Sequence, residues 1–317
     1  MVARPGAHSF DDPSVPHPAR RYNYWLGGRE NYRADRASGD AVATAMPTIR
    51  LGIRENRAFL RRVVRFMVES GIRQFIDVGP GIPAPDCTHE VAQAIAPETR
   101  VVYVDNDRVV IAYSRALLRN NAIPEAAGAD DGSIVDLELP PFDLEDEGFG
   151  TTLDLDSEPE PDDPDSPRKG LIGHVLADLR DPERILGNAE TRTVIDFTEP
   201  VGLLLVAVAH FCPDDEAVYP AVARLIEALP SGSLVAFSHA TADYVDPRIV
   251  TRVDNAIADH KSVFRWRYTF ECSRFARGLE FVDPGLVPIE QWHAEGEPGP
   301  RPSSADVGIS AWLARKP

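Results

Sequence analysis

The feature that most constrains this chain is an alternation between short, mainly apolar runs and stretches whose apolar positions recur at helical spacing. The apolar runs are Phe75–Val78, Val101–Val104, Ile172–Leu176, Val201–Ala209 and Ser233–Phe237. The stretches Thr88–Ala96, Val109–Leu118 and Ala217–Leu229 between them read as amphipathic helices. Strands apolar along their whole length must be covered on both faces, and helical crossovers supply that cover only in a parallel sheet. Phe281–Trp292 and Val307–Leu313 extend the pattern as a final antiparallel pair. The expected fold class is therefore α/β: a mostly parallel, seven-stranded sheet with helices on both faces.

Ahead of the first strand the character changes. Residues 1–18 read as a loose tail and residues 19–70 as an N-terminal helical cap broken at Gly27-Gly28. The cap's last helix carries the stripe Phe59, Leu60, Val63, Val64 and Met67. Residues 71–317 form the core, interrupted at about 122–169 by an acidic insertion. That segment holds sixteen Asp and Glu against Arg168 and Lys169, so it carries −14 of the chain's net charge of −17. Its Pro-rich end, Glu158–Pro164, cannot pack a core and reads as a solvated linker. Val135–Leu139 and Leu153–Asp156 alternate with period two, as a small hairpin would, although a surface loop is the simpler reading.

Charge and cysteine usage narrow the function. An acidic chain lacks the basic footprint that nucleic-acid backbones and anionic membranes require. Cys87, Cys212 and Cys272 are odd in number and at no metal-like spacing, which points to a reducing compartment and to no cysteine-based zinc site. The longest apolar run, Val201–Ala209, is half a membrane span. A cytoplasmic protein acting on a small molecule is expected, with no metal.

Ligands of an open α/β sheet sit beyond the carboxyl ends of the strands. Here those ends read Asp77-Val78-Gly79-Pro80-Gly81, Asp105-Asn106-Asp107, Ala177-Asp178-Leu179-Arg180, His210-Phe211 and Ser238-His239. Gly79 and Gly81 allow a sharp turn and a close approach to a ligand. Asp105 is placed to take the two hydroxyls of a ribose. Gly79-x-Gly81-x-x-Ala84 also fits a dinucleotide fingerprint, which keeps a nicotinamide-dependent oxidoreductase as an alternative. Against it, Pro83 and Pro85 delay the next helix, and the Asp77 carboxylate suits a cationic ligand better than a diphosphate. A further alternative is a non-catalytic binding protein whose acidic insertion recruits a basic partner.

The series Asp77-x-Gly79-x-Gly81, Asp105 and Ala177-Asp178-Leu179 resembles the motifs of class I S-adenosylmethionine-dependent methyltransferases. More narrowly, Arg20–Asn31, Gly71–Gly79, His89–Gln93, Val101–Asp107, Ala177–Pro182 and Ser238–Asp243 are similar to the actinobacterial S-adenosyl methyltransferase family once catalogued as a domain of unknown function. The resemblance implies a Rossmann-like fold with S-adenosylmethionine as cofactor. It would place the cofactor's amino-acid part at the Gly79/Gly81 loop, its ribose at Asp105 and its adenine between Asp178 and Leu179, with Asp77 and Asn106 also among the cofactor-binding residues. Tyr24, Gly28 and Asn31 would form a lid over the site. Where the family usually has Thr, Asn and Asp, this chain has Pro80, Cys87 and Asn23.

The sulfonium methyl is already activated, so alignment and water exclusion are the main demands, with a general base of use for a hydroxyl or amine acceptor. His210 and His239, at the ends of the fourth and fifth strands, are the candidate bases, His210 ahead of His239; the simpler reading of each is a structural histidine hydrogen-bonded to a loop carbonyl. His89 reads as a packing residue at a helix start, and His8 and His17 call for no function. Phe264, Trp266, Tyr268 and Phe270 alternate as the face of a strand would.

Overall fold

Burial follows from composition at once: every residue of Gln74–Val78 is inaccessible to solvent, which a strand of Phe, Ile and Val achieves only in the middle of a sheet covered on both sides. The computed structural model describes residues 12–117 and 170–317. The acidic insertion, with its two alternating segments, lies outside the described residues.

Three helices come first: α1 (Pro18–Leu26), α2 (Arg33–Ala45) and α3 (Ile49–Glu69). There follow β1 (Gln74–Val78), α4 (Thr88–Gln93), β2 (Arg100–Asp105), α5 (Arg108–Leu117) and β3 (Ile172–Leu176). Next come α6 (Pro182–Gly187), α7 (Ala189–Val194), β4 (Gly202–Val206), α8 (Asp215–Ala228), β5 (Leu234–Ala240) and α9 (Pro247–Asp259). The chain closes with α10 (Thr269–Ser273), β6 (Glu280–Phe281), β7 (Val287–Pro288), α11 (Ser304–Val307) and β8 (Ile309–Arg315).

The strands form one sheet in the order β3-β2-β1-β4-β5-β8-β6, with β7 also paired to β8. β1 to β5 run parallel, and β8 lies antiparallel to β5 from Leu234 opposite Arg315 to Ala240 opposite Ile309. The sheet thus has eight strands where seven were expected. Residues 281–292 divide into β6 and β7 because Pro284 cannot donate to a ladder and Gly285, at φ +83°, turns the chain away. Strand order reverses between β1 and β4, so the crevice beyond their carboxyl ends is where such a sheet opens to a ligand.

Two cores flank the sheet. On one face α3 inserts Phe59, Val63, Val64 and Met67 against Phe75, Leu204 and Trp292, with Phe59 and Trp292 meeting edge to face at 5.4 Å. On the other, Val222 and Leu225 of α8 pack with Phe237, Phe275 and Trp312. Each such side chain contributes about 1.5–3 kcal/mol of burial. A third cluster joins Trp25, Val42, Met46 and Ile53 of the first three helices to Val253 and Ile257 of α9. That packing hangs α1 over the carboxyl ends of the strands.

The stretch Phe264–Phe270 is not a strand, contrary to its alternation. It is held by single bonds, Arg265 N–H to the His210 carbonyl at 2.8 Å and Arg267 N–H to that of Ala240, rather than by a ladder. The alternation instead directs Arg267 inward: fully buried, its guanidinium donates to the carbonyls of Ala209 and Cys212 and pairs with Asp215 at 2.8 Å.

Candidate functional site

A cavity of about 580 Å³ opens where β1, β2, β3 and β4 end. β1 brings Asp77 to its wall, where the carboxylate accepts the Thr88 hydroxyl at 2.6 Å. Beyond it the backbone turns through Gly79 and Gly81, at φ +73° and +70°. A Cβ on Gly79 would stand 2.4 Å from Cγ2 of Val208, so only glycine lets this loop close on the end of β4.

β2 delivers Asp105, whose Oδ2 accepts the Gly81 N–H at 3.2 Å and whose Oδ1 accepts that of Asp107 at 2.9 Å. Asp105 lines the cavity. Beyond β3, Asp178 binds Arg180 through both oxygens, at 2.8 and 2.7 Å, and accepts from Asn106 at 3.0 Å. Leu179 lines the same wall.

Burial sets the charge states. It pushes Asp77 up to about 6 against the pull of the Thr88 hydrogen bond. It also pushes Asp105 up to about 7, aided by the neighbouring carboxylate of Asp107. At Asp178 burial acts the same way but is outweighed by the Arg180 hydrogen bonds, which hold it at about 2. Asp77 and Asp105 form no ion pair among the described residues.

The remaining walls come from elsewhere. Val15–Pro18, expected to be part of a loose tail, and the first cap residues Ala19 and Arg20 line the cavity as a strap. Asp35 ties it down, accepting the His17 N–H at 2.7 Å and the Arg20 guanidinium at 2.9 Å. The His17 ring reaches Asp107 at 3.1 Å and, being buried beside Arg20 and Arg21, is held down at about 3 and stays neutral. Tyr22 and Leu26 of α1, Asn56 and Arg57 of α3, Phe211 beyond β4 and Lys261–Val263 beyond α9 complete the enclosure.

The sequence family described as S-adenosyl methyltransferase matches residues 6–159 and 165–317. A DUF574 family protein from Streptomyces avermitilis is 35% identical and superposes with a TM-score of 0.75, over 96% of this chain and 99% of its own. A protein from Thermobifida fusca, named as a candidate methyltransferase, is 29% identical with a TM-score of 0.74, over 99% of both chains. No curated protein matches. The chain belongs to the S-adenosyl methyltransferase family. Neither the nicotinamide reading nor the binding-protein reading finds support in these likenesses.

The family's cofactor is S-adenosylmethionine, and the cavity fits it. Two buried carboxylates that form no ion pair among the described residues suit a ligand bearing ribose hydroxyls and a sulfonium charge, and the Gly79–Gly81 turn leaves backbone room beside them.

Seven of the residues singled out in this methyltransferase sequence line that cavity together: Asp77, Gly79, Gly81, Asp105, Asn106, Asp178 and Leu179. Pro80 and Cys87 line it too, whereas Tyr24, Gly28, Asn31, His210 and His239 stand outside its lining. Tyr24 gives its hydroxyl to Asp40 at 2.7 Å. Gly28 and Asn31 belong to a loop lock, in which Asn31 donates to Asn23 and to the Gly28 carbonyl, both at 2.9 Å. His239 lies inside β5 rather than at its end, with Nδ1 on the Ala240 carbonyl at 2.7 Å and Nε2 on Arg267 at 2.9 Å. His210 follows β4 on a short 3-10 turn, wedged among Phe211, His239 and Phe264. Burial, with His239 and Arg267 nearby, pulls its pKa well below the usual histidine value.

The residues missed in the sequence are those of the strap and of the cavity's far end, above all His17, Tyr22 and Lys261–Val263. One signal was available for Lys261: a basic residue just past a helix that neighbours a strand-end loop. Cys87, His89 and Glu90 bring potential metal-ligand atoms within 4.8 Å of one another, but each is engaged. Glu90 accepts the Cys87 N–H, His89 meets the Tyr103 hydroxyl, and burial pushes the Cys87 thiol up to about 12.

Proposed function

We propose that this protein transfers the methyl group of S-adenosylmethionine to a small-molecule acceptor, with the cofactor along the ends of β1, β2 and β3 and the acceptor under α1. The observation that carries this reading is the convergence of Asp77, Gly79, Gly81, Asp105, Asn106, Asp178 and Leu179 on one cavity. When bound, S-adenosylmethionine supplies a sulfonium methyl that needs no further activation.

In this reading Asp105 accepts the ribose hydroxyls, and Asp178 with Leu179 borders the adenine. Arg57, which donates to the carbonyls of Pro85 at 2.8 Å and Asp86 at 3.0 Å, stands beside the Gly79–Gly81 turn for the cofactor's carboxylate. The acceptor end is left to Tyr22, Leu26, Phe211 and Lys261–Val263, whose aromatic and aliphatic surfaces keep water from the reacting atoms. A chain of bonds fixes that end. Tyr22 donates to the Ile53 carbonyl and accepts from Asn56 at 3.0 Å, and Ser238 donates to Asn56 at 2.6 Å. Ser238 in turn accepts the N–H of Ala207, a non-glycine residue held at φ +57° beside the reacting centre. His210 and His239 serve as scaffold here, since a proton on either would sit buried beside Arg267.

Titration calorimetry tests the reading. S-adenosylmethionine and S-adenosylhomocysteine should bind and NAD should not. Asp105→Ala should weaken both by about ten- to a hundredfold, the worth of a lost charge-assisted contact. Tight NAD binding without response to S-adenosylmethionine would overturn it.

A further inference from the structure

The carboxylates lining the cavity all come from one side of the fold. Asp77, Asp105 and Asp178 follow from β1, β2 and β3, with Arg57 and Arg180 beside them, whereas α1 and residues 261–263 add Arg20 and Lys261 to the lining and no carboxylate. Lys261 follows α9 in the left-handed region, at φ +53°, with its N–H on the Ala258 carbonyl, and its ammonium forms no ion pair or hydrogen bond among the described residues. Beside it, the Ser262 hydroxyl accepts from Nη1 of Arg21 at 2.9 Å, which leaves its own proton free to donate. Arg21 is 2% exposed and forms no ion pair among the described residues; its other bond from Nη1 goes to the Ser38 hydroxyl at 3.0 Å, and its Nε has no hydrogen-bond partner among them. A buried guanidinium, with Asp35 as its opposing charge and the Trp25 ring beneath it, thus sits behind a hydroxyl that lines the cavity. Burial outweighs Asp35 and lowers Arg21 to about 10.

Building on the methyltransferase reading of this cavity, we infer that the acceptor carries a carboxylate, gripped by the Lys261 ammonium and the Ser262 hydroxyl, with Arg21 supplying charge from behind. Two donors on adjacent residues match the two oxygens of one carboxylate. The apolar body of the acceptor then lies on Phe211, Val263 and Leu26, which orients its far end toward the cofactor wall.

The test uses the full chain saturated with S-adenosylhomocysteine and a panel of small aromatic and aliphatic hydroxy- and amino-carboxylates, each paired with its uncharged amide. Calorimetry should show carboxylates binding about tenfold or more tighter than their amides. Lys261→Met and Ser262→Ala should erase that preference, Lys261→Arg should restore most of it, and S-adenosylhomocysteine affinity should be unchanged in all three. Equal binding of acids and amides, binding by no carboxylate of the panel, or a preference that survives Lys261→Met would overturn the inference. So would a fall in S-adenosylhomocysteine affinity in Lys261→Met, since the ammonium would then serve the cofactor's own carboxylate. Failure of the wild type to bind S-adenosylhomocysteine at all would instead strike at the methyltransferase reading beneath it.

Discussion

The two ends of the cavity are built by different means. The cofactor wall comes from three strand ends within one parallel ladder, where β1 pairs with β2 and β2 with β3 in fixed register, Asp77 opposite Tyr103 and Asp105 opposite Leu176. The far end is assembled from α1, α3, the turn after β4 and the segment after α9, held together by side-chain bonds such as Arg21 to Ser262, 241 residues apart. A wall made by a ladder is set by backbone geometry. A wall made by side chains is set by charge and packing, and can be changed one residue at a time.

The sharpest way to break this contrast is at Gly79. Gly79→Val puts a branched side chain at φ +73° and 2.4 Å from Val208. Cofactor binding should fall below detection by calorimetry while the circular dichroism spectrum keeps its native shape. Retained affinity would show that the turn does not shape the cofactor wall.

The same contrast explains what was legible in the sequence. The parallel strands and the seven residues that line the cavity together could be read because glycine at a positive φ and acids at strand tips are local requirements. The strap was not legible. Nothing in Val15-Pro16-His17 signals order; the order comes from Asp35, a buried carboxylate one helix away that collects the His17 N–H, Arg20 and the Tyr32 N–H. His239 was misplaced because β5 extends to Ala240, three residues further than its apolar run, sustained by pairing with β8. The 264–270 stretch misled because its inward residue is Arg267, whose burial depends on carbonyls of another loop.

Arg267 offers the next largest effect, on the far end. Arg267→Ala removes a fully buried cation from Asp215 and from two carbonyls. It should cost about 3–5 kcal/mol of stability in chemical denaturation. A loss under 1 kcal/mol, on the order of a surface pair, would mean the far end holds itself together without it.

The cofactor wall should respond to pH and the far end should not. Asp77 and Asp105 hold protons in the folded state that they lack when unfolded, at about 6 and about 7 against an ordinary value of 3.8. They therefore favour folding at low pH, and that contribution is lost as pH rises through these values. Ribose hydroxyls donate to the ionised carboxylate, so S-adenosylhomocysteine affinity should rise from pH 5.5 to 8, by roughly thirtyfold if Asp105 alone releases its proton on binding. In Asp105→Asn the rise should flatten, and the apo protein should gain stability relative to the wild type at pH 8. An affinity independent of pH in the wild type would contradict these charge states.

The smallest effect expected is at His210. As scaffold in an aromatic pocket with an unpartnered Nδ1, it should tolerate Gln with a stability change of about 1 kcal/mol and unaltered cofactor affinity. Once an acceptor is known, turnover of His210→Gln should stay within a few-fold of wild type. A fall of about 10²-fold or more would restore His210 as a base.

The division of the cavity itself is tested most directly by titrating S-adenosylhomocysteine in parallel into Asp105→Ala and Phe211→Ala, two lining residues, one ending β2 and the other on the turn after β4. Affinity should drop about ten- to a hundredfold in Asp105→Ala and remain near the wild-type value in Phe211→Ala. The reverse pattern, with Phe211→Ala losing the ligand and Asp105→Ala keeping it, would contradict the placement of the cofactor along β1, β2 and β3.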